Sequence, residues 1–148
     1  MFKSIAIASD HAGFVLKAAI KNWLEEEKIH FTDFGTFTPE SCDYPDYAIR
    51  AAESVKDGEH EAGIVICGSG IGVSISANKV KGIRAALCWK KELATLARQH
   101  NNANVLALPA RFIEEEKALE IVKAFLVTEF EGGRHSRRVD KIHSLTEC

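Results

Sequence analysis

No cysteine in this 148-residue chain has another close by in sequence: Cys42, Cys67, Cys88 and Cys148 are scattered, and no C-x-x-C pair occurs. That spacing excludes the common thiolate zinc clusters and points to free thiols rather than a disulfide framework. The six histidines include no H-x-x-x-H or other close pair, so no metal site is expected. Neither sign of charge dominates, with 19 Lys and Arg against 21 Asp and Glu, which argues against a nucleic-acid partner. No apolar run approaches bilayer length, so no membrane partner is expected. The opening "MFKSIAIASDHAG" lacks the apolar stretch and small-residue cleavage site of a signal peptide, and the expected compartment is the cytoplasm. There is no repeat, low-complexity tract or linker. Residues 1–148 read as a single domain, long enough to bury a core without covalent staples.

What the chain does have is alternation. Short runs rich in Ile, Val and Ala (Ile5–Ser9, Ile29–Phe34, Gly63–Cys67, Ile83–Cys88, Asn104–Leu108) read as about five buried strands. Between them, apolar residues recur at helical spacing: Leu16, Ile20, Trp23 and Leu24, then Ala48, Ala51, Ala52 and Val55. Leu93, Leu96, Ala97 and His100 make a third such face, and Ala118, Ile121, Val122, Phe125 and Leu126 a fourth. Strands apolar on both faces, alternating with helices, predict an α/β fold: a Rossmann-like three-layer sandwich around a parallel sheet. After Gly132 and Gly133 a C-terminal helix follows, whose face Val139, Ile142 and Leu145 needs a surface to dock on, in the same subunit or a partner.

In open parallel sheets, ligands gather at the carboxyl ends of the strands. Two turns fall there, "SDHAG" after the first strand and "CGSGIG" after the third. Gly68, Gly70 and Gly72 have the spacing G-x-G-x-G, which is neither the dinucleotide fingerprint nor a Walker A loop. A tight structural turn is one reading of these glycines, and core filler is the ordinary reading of a cysteine such as Cys67. The alternative is chemical. A thiol at a helix N-terminus sits where the dipole and nearby amides favour thiolate. Cys67 would then act as a general base, Ser69 would move protons between neighbouring oxygens, and the loop amides would hold an oxyanion. That set suits proton abstraction next to a carbonyl.

The other candidates each carry a bland reading beside the functional one. Asp10 could cap the first helix, and His11 could be a surface histidine. His100 could be a satisfied core histidine, with "HNNAN" ending its helix. Arg134 and Arg138, four apart, share one helical face, as solvated charge or as a pair suited to a phosphate.

Taken in order, "SDHAG", "DYPDYA", "CGSGIG", "ISANKVKGIRAAL", "RQHNNANVLAL" and "EGGRHSRRV" resemble the RpiB/LacAB sugar-phosphate isomerases over essentially the whole chain. Within that family the resemblance is to the B-type ribose-5-phosphate isomerases. It implies interconversion of ribose 5-phosphate and ribulose 5-phosphate through an enediolate, with no metal and no organic cofactor. It also implies that Cys67 moves the proton between C1 and C2, that Ser69 assists between O1 and O2, and that His100 opens the furanose ring. By the same resemblance Asp10 and Asn101 contact the sugar, and the amides around Gly68, Gly70, Ile71 and Gly72 form the anion hole. His11, Arg111, Arg134 and Arg138 hold the phosphate. The family usually has Thr where this chain has Ser69, which keeps the hydroxyl. Members without the cysteine place a Glu at the position of Val73, which leaves Cys67 as the base here. Galactose-6-phosphate relatives divide this equipment between two chains, whereas here one chain carries it all. A hexose 6-phosphate is the alternative substrate, and a non-catalytic phosphosugar-binding module the alternative class.

The strand reading adds an expectation of its own. Asp10, His11, Cys67 and Ser69 sit at carboxyl ends of strands, whereas His100 and Asn101 end a helix that returns to the opposite edge, and the tail with Arg134 and Arg138 follows another returning helix. A strand of five or six residues spans ~17–20 Å, too far for these groups to meet within one subunit. The expected assembly is therefore a homodimer, or a tetramer built from it, with active sites shared between subunits and a small sugar phosphate as ligand.

Overall fold

The computed structural model describes residues 1–146, so Cys148 lies outside the described residues. The chain runs β1 (Ser4–Ser9), α1 (Phe14–Glu26), β2 (His30–Asp33), α2 (Tyr44–Lys56), β3 (Ala62–Cys67), α3 (Ile71–Asn78), β4 (Ala85–Leu87) and α4 (Lys91–Asn101). β5 (Val105–Pro109), α5 (Glu115–Val127) and α6 (Arg134–Thr146) complete it. The five strands form one parallel sheet in the order β2-β1-β3-β5-β4.

Strand alternation divides the core in two. Ile5, Ile7, Ile64, Ile66, Leu106 and Leu108 pack with Leu16, Ile20 and Leu24 of α1, Ala94 and Ala97 of α4, and Ile121 and Phe125 of α5. Ala6, Ala8, Val65, Cys67, Val105 and Ala107 point the other way, onto Ala48, Ala51, Ala52 and Val55 of α2 and Val73 and Ala77 of α3. The three-layer sandwich is thus as the alternation predicts. Two-sided burial holds for β1, β3 and β5 but not for β2 and β4. Those two are edge strands, each with a neighbour on one side only.

Two helices differ from the expected faces. α4 buries Ala94, Ala97 and Arg98, while Leu96 turns outward. On α6 only Val139 of the expected trio is buried, and Ile142 and Leu145 remain exposed. The exception on α4 is instructive, because Arg98 is a cation inside the core. Its guanidinium donates to the carbonyls of Thr128 (3.2 Å) and Ala103 (2.6 Å) and to Asn102 Oδ1 (2.9 Å), and lies over the rings of Phe2 and Phe125. A buried charge survives only when so fully partnered.

A second buried cation ties α1 to the end of β2. Lys17 Nζ meets Asp33 Oδ1 at 2.6 Å and the Thr36 carbonyl at 2.5 Å, and Lys21 reaches Asp33 Oδ2 at 2.8 Å. Burial pushes the Lys17 ammonium below its ordinary value by more than Asp33 restores. For Asp33 burial works the other way, but Lys17, Lys21 and the Gly35 N–H together outweigh it and hold the carboxyl below its usual range. Among the described residues, no helix is long and apolar enough to cross a membrane.

Candidate active site

The turns after β1, β3 and β5 converge on a cavity of about 630 Å³, lined among others by Asp10, His11, Tyr44, Cys67, Ser69 and Arg111. Adjacent parallel strands bring them together, since β1 pairs with β3 and β3 with β5, Cys67 standing level with Pro109. Gly68, Ile71 and Gly72 also line it, so the first- and third-strand candidates share one wall. Gly70 shapes the turn. Its φ of +72° is left-handed, and a side chain there would strike Leu87 and the Leu108–Pro109 backbone. At Gly72 a Cβ would lie 2.5 Å from the Tyr44 ring, so a side chain there would have to displace that ring.

The polar groups in this wall are tied to the turn backbones. Asp10 Oδ1 accepts from the N–H groups of Ala12 (2.9 Å) and Gly13 (3.1 Å), bracing the turn before α1 rather than serving as its N-cap, which is Gly13. His11 Nδ1 accepts from the Cys42 N–H at 3.2 Å. Cys67 Sγ accepts from the Gly70 N–H at 3.2 Å, and Ser69 Oγ accepts from the Ile71 N–H at 3.3 Å. Arg111 is exposed, and its backbone N–H donates to the Gly68 carbonyl at 2.9 Å, bringing its side chain over the glycine turn. Cys88 offers the contrast of a thiol with no such turn. Burial pushes it up to about 12, and its nearest polar contact is the Ala86 carbonyl at 3.7 Å. Core filler describes Cys88; Cys67 opens onto a cavity.

The remaining candidates lie elsewhere. His100, Asn101, Arg134 and Arg138 do not line the Cys67 cavity. His100 and Asn101 close α4, which Asn102 ends in the left-handed conformation at φ 46°, and β5 then runs from that edge to the Cys67 level. From Val105 to Pro109 alone the rise is about 13 Å. Arg134 and Arg138 are exposed on α6. Asn101 opens instead onto a separate cavity of about 380 Å³ with Arg84, Ile142 and His143. There Arg84 is occupied by the carbonyls of Asn101 and Asn102.

His100 is not a core histidine: its side chain is 37% exposed, and its ring lies flat on that of His135, centroids 4.2 Å apart and planes 8° from parallel. Glu131 Oε2 stands 3.6 Å from His135 Nε2 and 3.9 Å from His100 Nε2. This trio escapes a search for close histidine pairs, since 35 residues separate the two rings in sequence and α4 and α6 bring them together. Metal-ligating atoms of the three lie within 4.8 Å of one another. Stacked parallel rings, however, aim their in-plane lone pairs side by side rather than at a common point, which is poor chelate geometry. Burial lowers the His135 pKa, and the charges of His100, Arg134 and Arg138 lower it further against the pull of Glu131. The signal for His135 was in the motif "EGGRHSRRV", between the two arginines. Glu131, which opens the same motif, and Tyr44, in "DYPDYA", were passed over as well.

These arrangements follow the motif order along the chain, and comparison with known proteins gives them a common origin. Residues 5–142 match the Ribose/Galactose Isomerase family. Ribose-5-phosphate isomerase B of Escherichia coli strain K12 is 46% identical over 145 residues, covering 98% of this chain and 97% of its own. A ribose-5-phosphate isomerase B from Clostridium thermocellum superposes with a TM-score of 0.96 at 49% identity, covering 97% of each chain. The Mycoplasma genitalium ribose-5-phosphate isomerase B, solved with bound ribulose-5-phosphate, gives a TM-score of 0.93 at 46% identity over 97% of this chain and 96% of that one. With a shared fold, shared length and this level of identity, the chain belongs to the ribose/galactose isomerase family.

Proposed function

We propose that this protein interconverts D-ribose 5-phosphate and D-ribulose 5-phosphate through an enediolate, with Cys67 as the general base. The observation that carries the reading is the single cavity lined by Cys67, Ser69, the turn residues Gly68, Ile71 and Gly72, Asp10, His11 and Arg111. The relatives named ribose-5-phosphate isomerase B, one of them holding ribulose-5-phosphate, support the choice of substrate. Cys67 Sγ takes the C2 proton of the open-chain aldose and returns it to C1. Ser69 Oγ carries a proton between O1 and O2, and the turn amides meet the negative charge that develops on oxygen. Carbon oxidation states are redistributed within one molecule, so the reaction calls for no redox cofactor. A charged sugar phosphate does not leave a cell unaided, which fits a cytoplasmic enzyme.

The same reading makes the active unit a homodimer. His100, Asn101, Arg134 and Arg138 are supplied from the opposite sheet edge of a second copy, where His100 opens the furanose ring and the arginines join His11 and Arg111 on the phosphate. Two features support it. The Cys67 cavity lacks those four groups, and exposed apolar side chains (Ile71, Ile75 and Phe112) rim it where a partner would seat.

Mixing Cys67→Ala with His100→Ala subunits under exchange tests both claims at once. Each variant alone is expected to be nearly inactive. Hybrids with one intact site are expected to restore about a quarter of wild-type activity in a statistical mixture of dimers. No recovery despite confirmed exchange sinks the shared site. An isomerase assay on ribose 5-phosphate beside allose and galactose 6-phosphates, with EDTA present, tests the substrate. Preference for a hexose phosphate overturns that assignment.

A further inference from the structure

The stacked pair at the sheet's far edge contains one histidine with a proposed role and one without. His100 is carried on the last turn of α4 with its ring partly in solvent, whereas the His135 side chain, in the first turn of α6, is 7% exposed. An imidazole at the end of an exposed side chain samples several ring orientations, and proton transfer to a sugar ring oxygen needs one of them. What limits His100 here is a flat surface. The ring of His135 lies parallel beneath it, and Glu131 stands beside both.

The supports of that surface are fixed from two directions. The Glu131 N–H donates to the Gln99 carbonyl at 3.1 Å, which ties the segment before α6 to the turn bearing His100. The His135 N–H donates to the Gly132 carbonyl at 3.0 Å. Gly132 and Gly133 both have positive φ, so the chain reverses sharply enough to bring α6 back under α4. Burial, with the neighbouring cationic groups, lowers the His135 pKa and so favours its neutral ring. A neutral ring can support a second imidazole whether that one is charged or not, whereas two imidazolium ions face to face would repel.

We propose that His135 is a positioning residue: its buried ring is the platform that fixes the plane of His100 for proton transfer to the sugar ring oxygen. The proposal rests on the reading that His100 opens the furanose, and the experiment separates the two.

Steady-state rates on ribose 5-phosphate are compared for His135→Ala, His135→Leu and His135→Phe, beside His100→Ala. Loss of the platform is expected to lower kcat by about 10-fold to 10²-fold in the Ala and Leu variants, with KM little changed. His135→Phe, which restores a flat face without a ring nitrogen, is expected to recover most of the rate. A Leu variant as active as the Phe variant, or an Ala variant with undiminished kcat, overturns the proposal. Should the Ala variant not fold, the Leu and Phe pair decides the matter, since both fill the space and only one is flat.

The second readout is exchange of the C1 hydrogen of ribulose 5-phosphate with deuterium oxide, followed by NMR. This ketose cannot close to a furanose with its 5-oxygen phosphorylated, so enolisation by Cys67 needs no ring opening. Exchange is expected to survive in His100→Ala and in the His135 variants. If His100→Ala loses exchange as severely as net turnover, the ring-opening role fails. If His100→Ala spares exchange and slows turnover while the His135 variants turn over normally, the platform alone fails.

Discussion

At the carboxyl ends of β1, β3 and β5 the chemistry proposed for Cys67 would rest on tight backbone turns around a buried thiol. At the opposite edge the roles proposed for His100, Arg134 and Arg138 would rest on side chains at the end of α4 and along α6. In the first region positions are set by main-chain geometry: Gly70 is left-handed, Gly72 abuts Tyr44, and Asp10 is tied to the amides of its own turn. In the second, Arg134 and Arg138 stand in solvent and His100 is steadied by another side chain. The contrast suits the division of labour proposed above. Moving a proton between adjacent carbons tolerates little displacement, whereas gripping a phosphate through guanidinium groups allows reach and closure around the ligand.

The sharpest way to break that comparison is Cys67→Ala, expected to reduce kcat by about 10²–10⁴ in a steady-state isomerase assay, the usual range for a positioned base. A folded variant with near-normal turnover would move the base out of the first region. Next comes the second region's grip. Arg138→Ala should raise KM for ribose 5-phosphate with kcat largely kept, since one charged hydrogen bond contributes ~1.5–3 kcal/mol. The thermal midpoint should hardly move, because Arg138 is exposed. A lost kcat with unchanged KM would instead draw this arginine into the chemistry.

The rigidity of the glycine turn is checked by calorimetry. Gly70→Ala should destabilise the fold by at least ~1–2 kcal/mol from left-handed strain alone, with steric contact added. Gly58→Ala, also at positive φ but with nothing within 4 Å, should cost less. Equal losses would mean that close packing at Gly70 contributes nothing. The smallest effect concerns Asp33→Asn. Because the folded-state pKa of Asp33 is depressed, its stabilisation is present above the ordinary carboxylate value and is lost as pH falls through the folded one. Thermal melts should therefore show wild type ahead of the variant by roughly 1 kcal/mol near neutral pH, after solvent screening, with the gap closing below about pH 4. A gap constant with pH would remove charge from the explanation.

Much of this was legible in the sequence because the governing patterns are local. The runs Ile5–Ser9 and Gly63–Cys67 announce two-sided burial, and the glycines after Cys67 announce a turn at a strand's carboxyl end. The order of the strands was not legible, since placing β5 between β3 and β4 depends on packing across the whole sheet. The face of α4 was misread for a related reason: helical spacing cannot reveal that Arg98 is buried and Leu96 is not, because the partners of Arg98 come from both ends of the chain. His135 and Glu131 escaped because their importance comes from meeting His100 in space, and proximity between α4 and α6 leaves no periodic trace.

Arg98 has a dynamic consequence. Its guanidinium rivets three chain segments at one point: the segment before β1 at Phe2, the exit of α4 at Asn102 and Ala103, and the exit of α5 at Thr128. None of the three can fray alone without stranding a charge in the core, so they should open together or not at all. Their amides are expected to exchange with solvent as one cooperative unit, on a single slow timescale. His100 is held two residues beyond that rivet, at the hinge of the least yielding part of its edge.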